Sequence, residues 1–155
     1  MGNESKPVVA IPKEEAVFRL DKNGVWYHGD RKFENRKIIE YFHSMIKKDE
    51  NGYFLKQEHR DFIEKVYFPY EETALFVFQV IAKDSLILVL NTGEKVRLEP
   101  EQLFIKNDHL YLRHDDQIAK FTEEAMFSLA DAMEEEDGRY LIRFEGKEYP
   151  IPRGD

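Results

Sequence analysis

The sequence predicts an α+β fold of two related antiparallel-sheet subdomains, each carrying one main helix. Three observations lead there. From residue 74 onward the chain reads as a β-meander, with Leu75 to Ile81 and Leu86 to Leu90 rich in β-branched and aromatic residues. Two segments, one after Asn35 and one after Thr122, open on a capping residue and continue as a single apolar stripe at helical spacing. Finally, the order hairpin, helix, glycine and Tyr-led strand occurs twice.

Residues 1–14 place Pro7 and Pro12 among polar neighbours and read as a flexible N-terminal arm. An N-terminal α+β subdomain is expected over 15–73 and a C-terminal one over 74–155. Phe18-Arg19-Leu20 and Val25-Trp26-Tyr27 flank Asp21-Lys22-Asn23-Gly24, a hairpin pattern in which Gly24 can take positive φ. Asn35 then caps a helix whose face is Ile38, Tyr41, Phe42 and Met45, with Asn51-Gly52 expected to end it. Tyr53 to Leu55 reads as a short strand. Residues 58–70 fit neither period, and Pro69 argues against a central strand there.

In the second half, Asn91-Thr92-Gly93 turns the chain into Lys95 to Leu98, and Asn107-Asp108 joins Leu103–Ile105 to Leu110–Leu112 as a hairpin. Thr122 caps the second helix, Glu123 and Glu124 suit its first turn, and its face is Met126, Leu129, Ala130 and Met133. Gly138 is expected to stop it, and Tyr140–Phe144 with Tyr149–Ile151 to close a hairpin around Glu145-Gly146. The run Lys22 to Tyr27 aligns with Lys106 to Tyr111, Phe33 matches Phe121, and the two sets of four face positions share one spacing. A structural duplication is the expectation.

At 155 residues, 42% hydrophobic and 14% aromatic, the chain has the material for a core and is not expected to be disordered beyond its ends. A formal charge of −8 favours solubility and repels phosphate backbones and anionic membranes, which disfavours nucleic acid as a partner. The absence of cysteine removes disulfides, thiol catalysis and thiolate metal sites, and fits a reducing compartment, the cytoplasm. No apolar run approaches the ~18 residues of a membrane span. The opening residues lack a basic start followed by an apolar run, so no secretory leader is expected. Lys6 stands where a Met1-Gly2 myristoylation motif wants Ser or Thr. Arg153-Gly154-Asp155 spells an adhesion tripeptide that reads as chance.

Chemistry-bearing patterns are sparse. Lys47, Asp49, Asn51, Gly52 and Glu58 approach the spacing of a calcium loop, but a lysine in the first ligand position opposes a cation, and a helix stop is the simpler reading. His28, His43, His59, His109 and His114 form no His-Glu-x-x-His pair. The serines sit on no nucleophile elbow and the glycines form no phosphate loop. Glu134-Glu135-Glu136-Asp137 reads as a solvated helix end. Trp26, the one tryptophan, is a core anchor or part of a recognition surface, and Arg97 and Arg113 read as exposed strand arginines or anion contacts.

The ordered signals resemble a known family. Gly24 to His28, the stretch Lys48-Asp49-Glu50-Asn51-Gly52-Tyr53, Glu64 to Val66, Tyr70 to Ala74, Asn91 to Val96, Leu110 to Arg113 and Ala119 to Phe121 together resemble the bacterial DUF1285 family. Leu75 stands where that family usually has proline. The resemblance spans residues 18–151. It implies a duplicated core whose second half is like a pleckstrin-homology, partly open β-barrel. It also implies a binding site between the halves and a signalling role, and it brings neither catalytic residues nor a cofactor.

The functional expectation is therefore a non-enzymatic module that binds a small molecule or a protein. Trp26, His28, Glu72, Asn91 and Arg113 are the candidates to line its groove, with no metal. The alternative is a small hydrolase or transferase that uses His28 or His114 with a carboxylate, with or without a metal.

Overall fold

Short antiparallel meanders, several closed by turns with left-handed backbone, account for most of the chain. The computed structural model describes residues 6–154. Met1-Gly2 and Asp155, on which the lipidation and adhesion patterns fall, lie outside the described residues. The chain divides after Ala74 into two compact units.

Unit 1 begins with β1 (Val8–Ile11), then β2 (Phe18–Leu20), β3 (Trp26–His28) and β4 (Arg31–Lys32), which form a three-stranded meander. Helix α1 (Arg36–Ser44) follows, capped by the Asn35 side chain, which accepts from the Ile38 amide at 3.1 Å. Strands β5 (Ile46–Asp49), β6 (Gly52–Glu58) and β7 (Ile63–Tyr67) form a second meander, and β1 joins its far edge in the order β1-β7-β6-β5.

Unit 2 opens with β8 (Leu75–Ala82), β9 (Leu86–Leu90) and β10 (Lys95–Arg97). The meander β11 (Leu103–Lys106), β12 (His109–His114) and β13 (Gln117–Phe121) completes a six-stranded sheet of order β10-β9-β8-β13-β12-β11. Helix α2 (Glu123–Leu129) starts at Thr122, whose Oγ accepts from the Ala125 amide and donates to the Val77 carbonyl, both at 3.2 Å. That pair of bonds ties the helix start to β8. The meander β14 (Met133–Glu136), β15 (Arg139–Phe144) and β16 (Lys147–Ile151) ends the unit.

The architecture is α+β, mostly sheet with two helices, and no sheet among the described residues closes into a barrel. Meander, helix, meander is the order in both units. The sheets are not purely antiparallel, contrary to expectation: β1 pairs with β7 and β8 with β13 in parallel. Of the segment read as a loose arm, Val8–Ile11 is thus a paired strand.

Both helices are shorter than the sequence pattern suggests. Helix α1 stops at Ser44, whose hydroxyl donates to the Tyr41 carbonyl at 2.7 Å, and Ile46–Asp49 pairs with β6 instead. Ile38 and Tyr41, expected to face the core, are 46% and 52% exposed. The inward stripe is rotated onto buried His43 and, just past the helix, Ile46, with Ile39 and Phe42 half-buried. Helix α2 likewise ends at Leu129, buries Ala125 and Leu129, and leaves Ala130 exposed. The two glycines expected to stop the helices close hairpins. Asp137 and Gly138, with φ of 53° and 79°, form the two-residue left-handed turn that matches strand twist.

The core of unit 1 is aromatic. Trp26 is 1% exposed and meets Phe42 at 5.4 Å and Phe68 at 5.0 Å between ring centroids, both edge-on, the preferred geometry for such rings. Its indole N–H donates to His43 Nδ1 at 3.3 Å, which requires that nitrogen unprotonated. Burial pushes the His43 pKa down from 6.5 to about 4.

Urea unfolding followed across pH tests this core. The folded pKa of His43 lies below its unfolded value, so the unfolded chain takes up the proton first as pH falls. Stability present above pH 6.5 is therefore lost between 6.5 and about 4, by on the order of 3 kcal/mol. Replacing His43 with Gln should flatten that slope. At pH 7.5 in the same assay, Trp26→Ala should cost about 3–5 kcal/mol, while Phe127→Ala, at a side chain 83% exposed, should cost almost nothing.

Candidate functional site

A concavity able to receive a ligand occurs in each unit. In unit 1 a recess of about 360 Å³ lies beside Tyr67, Asn51 and the Pro12–Glu14 turn. Of its polar groups, the Tyr67 hydroxyl and the Asn51 amide are engaged by Asp49. Asp49 accepts from Tyr67 Oη at 2.6 Å, from Lys65 Nζ at 3.2 Å and from the Asn51 amide at 2.9 Å. The Tyr67 bond leads in holding the Asp49 carboxyl below the usual range, and Asp49 in turn raises the Tyr67 pKa. This cluster fastens β5 to β7 and turns its charges inward on itself.

Unit 2 holds a groove of about 320 Å³. The β11–β12 hairpin gives Leu110 to its floor and Asp108 to its lip, while Met126 and Ala130 come from α2 and the turn that follows. Met133, Glu135 and Tyr140 come from the β14–β15 hairpin. The volume is at the lower end of the roughly 300–1,000 Å³ typical of ligand pockets, and the lining is mainly apolar with few polar groups, as such pockets are.

The charge around the groove is one-sided. Residues 75–155 carry 17 Asp and Glu against 10 Lys and Arg, a formal −7, whereas residues 1–74 carry 14 against 13. Glu134 is paired with Arg143, whose second nitrogen also reaches the Asp131 carbonyl at 3.0 Å. Asp108 and Glu135 have no ion-pair partner among the described residues. Phe127, three residues before Ala130 and therefore its neighbour on the helix surface, is 83% exposed.

The residues singled out from the sequence are distributed over both units. Trp26 is the centre of the unit 1 core, and His28 is exposed on the same strand, opposite Phe18 and Arg31. Glu72 is exposed close to the end of unit 1. Asn91 is buried in unit 2, where its side chain accepts from the Phe76 amide at 3.0 Å while its own amide donates to the Phe76 carbonyl at 2.9 Å. It clamps the turn after β9 onto β8. Arg113 is exposed on β12, its guanidinium 4.3 Å from the centre of the Phe104 ring. His114 meets Glu94 at 3.0 Å, an association that links the end of β12 to the β9–β10 turn. No group of three or more His, Asp or Glu side chains suited to a metal ion occurs among the described residues.

The groove of unit 2 was not among the expected sites, because Met126, Ala130 and Met133 read as a buried helix face and Glu134–Asp137 as its solvated end. The dipeptide Asp137-Gly138 was the available signal, since that pair is a strong hairpin marker.

No family model and no curated protein matches this chain. Two solved structures share its fold. A DUF1285 family protein from Silicibacter pomeroyi aligns over 95% of this chain and 83% of its own, with a TM-score of 0.62 and 16% identity. A DUF1285 family protein from Shewanella baltica aligns over 76% of this chain and 93% of its own, with a TM-score of 0.54 and 18% identity. At these identities the likeness is one of fold, and it is the likeness to which the ordered sequence signals point. No helix among the described residues is long and apolar enough to cross a membrane.

Proposed function

We propose that this chain is a non-catalytic binding module of regulatory type, with the groove of unit 2 as its ligand seat. The observation that carries the reading is the groove itself: an apolar floor built by three separate elements, with unpaired carboxylates at its lip. An enzyme reading would rest on His114 and Glu94, whose geometry already serves to hold two turns together. A cytoplasmic location is supported by the lack of cysteine.

The same proposal treats the two meander–helix–meander runs, β2 to β7 and β11 to β16, as structural repeats. Support comes from the shared element order and from helices that each start at a side-chain cap, Asn35 or Thr122. It also takes unit 2, a six-stranded sheet with α2 fastened to β8, as the pleckstrin-homology-like half. Failure of the two runs to superpose in a measured structure would remove the repeat.

Titration of the full chain with indole, followed by amide NMR, tests the seat. Millimolar indole should shift the resonances of Leu110, Met126, Met133 and Tyr140. The variant Ala130→Trp, which fills the groove from an exposed position, should abolish those shifts. Shifts scattered over both units, or none at the groove, would contradict the reading.

A further inference from the structure

The chemistry of the groove specifies its occupant more closely than the word ligand does. Its floor is apolar, so an uncharged hydrophilic molecule would gain little there. Its lip presents Asp108 and Glu135, and the surrounding unit carries a formal −7, so an anion would be repelled before contact. Cations are steered toward this unit, and a cation with an apolar body satisfies both features.

The strand beside the groove narrows the choice further. β14 is the first strand of the sheet β14-β15-β16, and among the described residues it pairs with β15 alone. Its other edge therefore offers backbone N–H and C=O groups, the template to which an extended chain adds as another strand. Met133, Glu134 and Glu135 of β14 all line the groove, and Met133 and Glu135, two residues apart, share one face of the strand. A peptide laid along β14 would thus bring alternate side chains over the groove while its main chain pairs with the strand.

A second copy of this chain does not suit the position. Two β14 edges brought together would oppose Glu134, Glu135 and Glu136 of one copy to the same carboxylates of the other, and like charges facing each other across strands are destabilising. Lys or Arg on the incoming segment reverses the sign of that interaction. Phe127, exposed next to Ala130, adds an aromatic face of the kind that anchors interfaces and attracts cations.

We propose that the groove and the free edge of β14 bind an extended basic peptide segment of a partner protein, in which Lys or Arg residues flank one large apolar anchor. The proposal rests on the reading of the groove as the ligand seat. The apolar anchor occupies the floor near Met126 and Met133, the backbone pairs with β14, and the cations lie against Asp108 and Glu135.

Fluorescence anisotropy on the full chain tests it with two labelled peptides: one alternating Lys with Val around a central Leu, and a twin with Glu at every Lys. The Lys peptide should bind at least about tenfold more tightly than its twin and weaken as salt rises. Asp108→Asn with Glu135→Gln should reduce its affinity by about tenfold, and Ala130→Trp should abolish binding, with circular dichroism showing each variant folded. Asn is chosen at 108 because that position has φ of 60°, which Asn tolerates. Equal binding of the twins, or binding that survives Ala130→Trp, would overturn the proposal. If neither peptide binds while indole still shifts the groove resonances, the peptide is excluded and the seat remains. If tryptamine binds there and the peptides do not, the occupant is a small amphiphilic cation. Loss of the indole response as well would remove the seat itself.

Discussion

The early end of α2 is the constraint on which the groove of unit 2 depends. Asp137 and Gly138 adopt the left-handed turn that commits Met133–Glu136 to pairing with β15, where Met133 sits opposite the fully buried Ile142. The chain must therefore leave the helix at Leu129 and reach that strand through a single tight turn over Ala130–Ala132. Ala125 and Leu129 remain in the core. Met126, Ala130 and Met133, which a longer helix would have kept on one buried face, separate from it and become the wall of the groove.

Unit 1 meets the same demand with a different result. Helix α1 also gives way to a strand after nine residues, but its last turn presents His43 and Phe42 to Trp26, and large aromatic rings fill the space. The charged cluster at Asp49, Lys65 and Tyr67 satisfies itself across β5 and β7. Unit 1 is close to electrically neutral, whereas unit 2 carries nearly all of the chain's formal negative charge. One sequence of elements thus supports an aromatic core in the first unit and an acidic, open groove in the second.

Much of the fold was legible because its signals are local. Asn35 and Thr122 cap the helices they were expected to cap, and Asn107-Asp108 and Glu145-Gly146 turn the hairpins that their residue types suggest. The helix ends were not legible, for a physical reason. Glycine after Asn or Asp serves equally as a helix C-terminus and as a hairpin turn, and the choice is made by whether the preceding residues find a strand to pair with. Lys47 and Lys48 do, opposite Phe54 and Tyr53. Parallel pairing of Val8–Ile11 with β7 joins segments some fifty residues apart, and local pattern carries no record of such partners. The groove was hidden for the same reason, since its floor comes from three elements that only the folded chain brings together. Trp26 and Asn91 show the converse: residues whose chemistry suggests recognition are fully occupied in holding the units together internally.

Methionine methyl groups offer the most direct measurement of the central claim. The chain has four methionines, and two of them, Met126 and Met133, line the groove, while Met45 caps the C-terminal end of α1 in the other unit. With 13C-methyl methionine in the full chain saturated by the Lys-and-Val peptide, intermolecular nuclear Overhauser effects should connect the central Leu of the peptide to Met126 and Met133 and not to Met45. Contacts from that Leu to Met45, or to neither groove methionine in a saturated complex, would contradict the account.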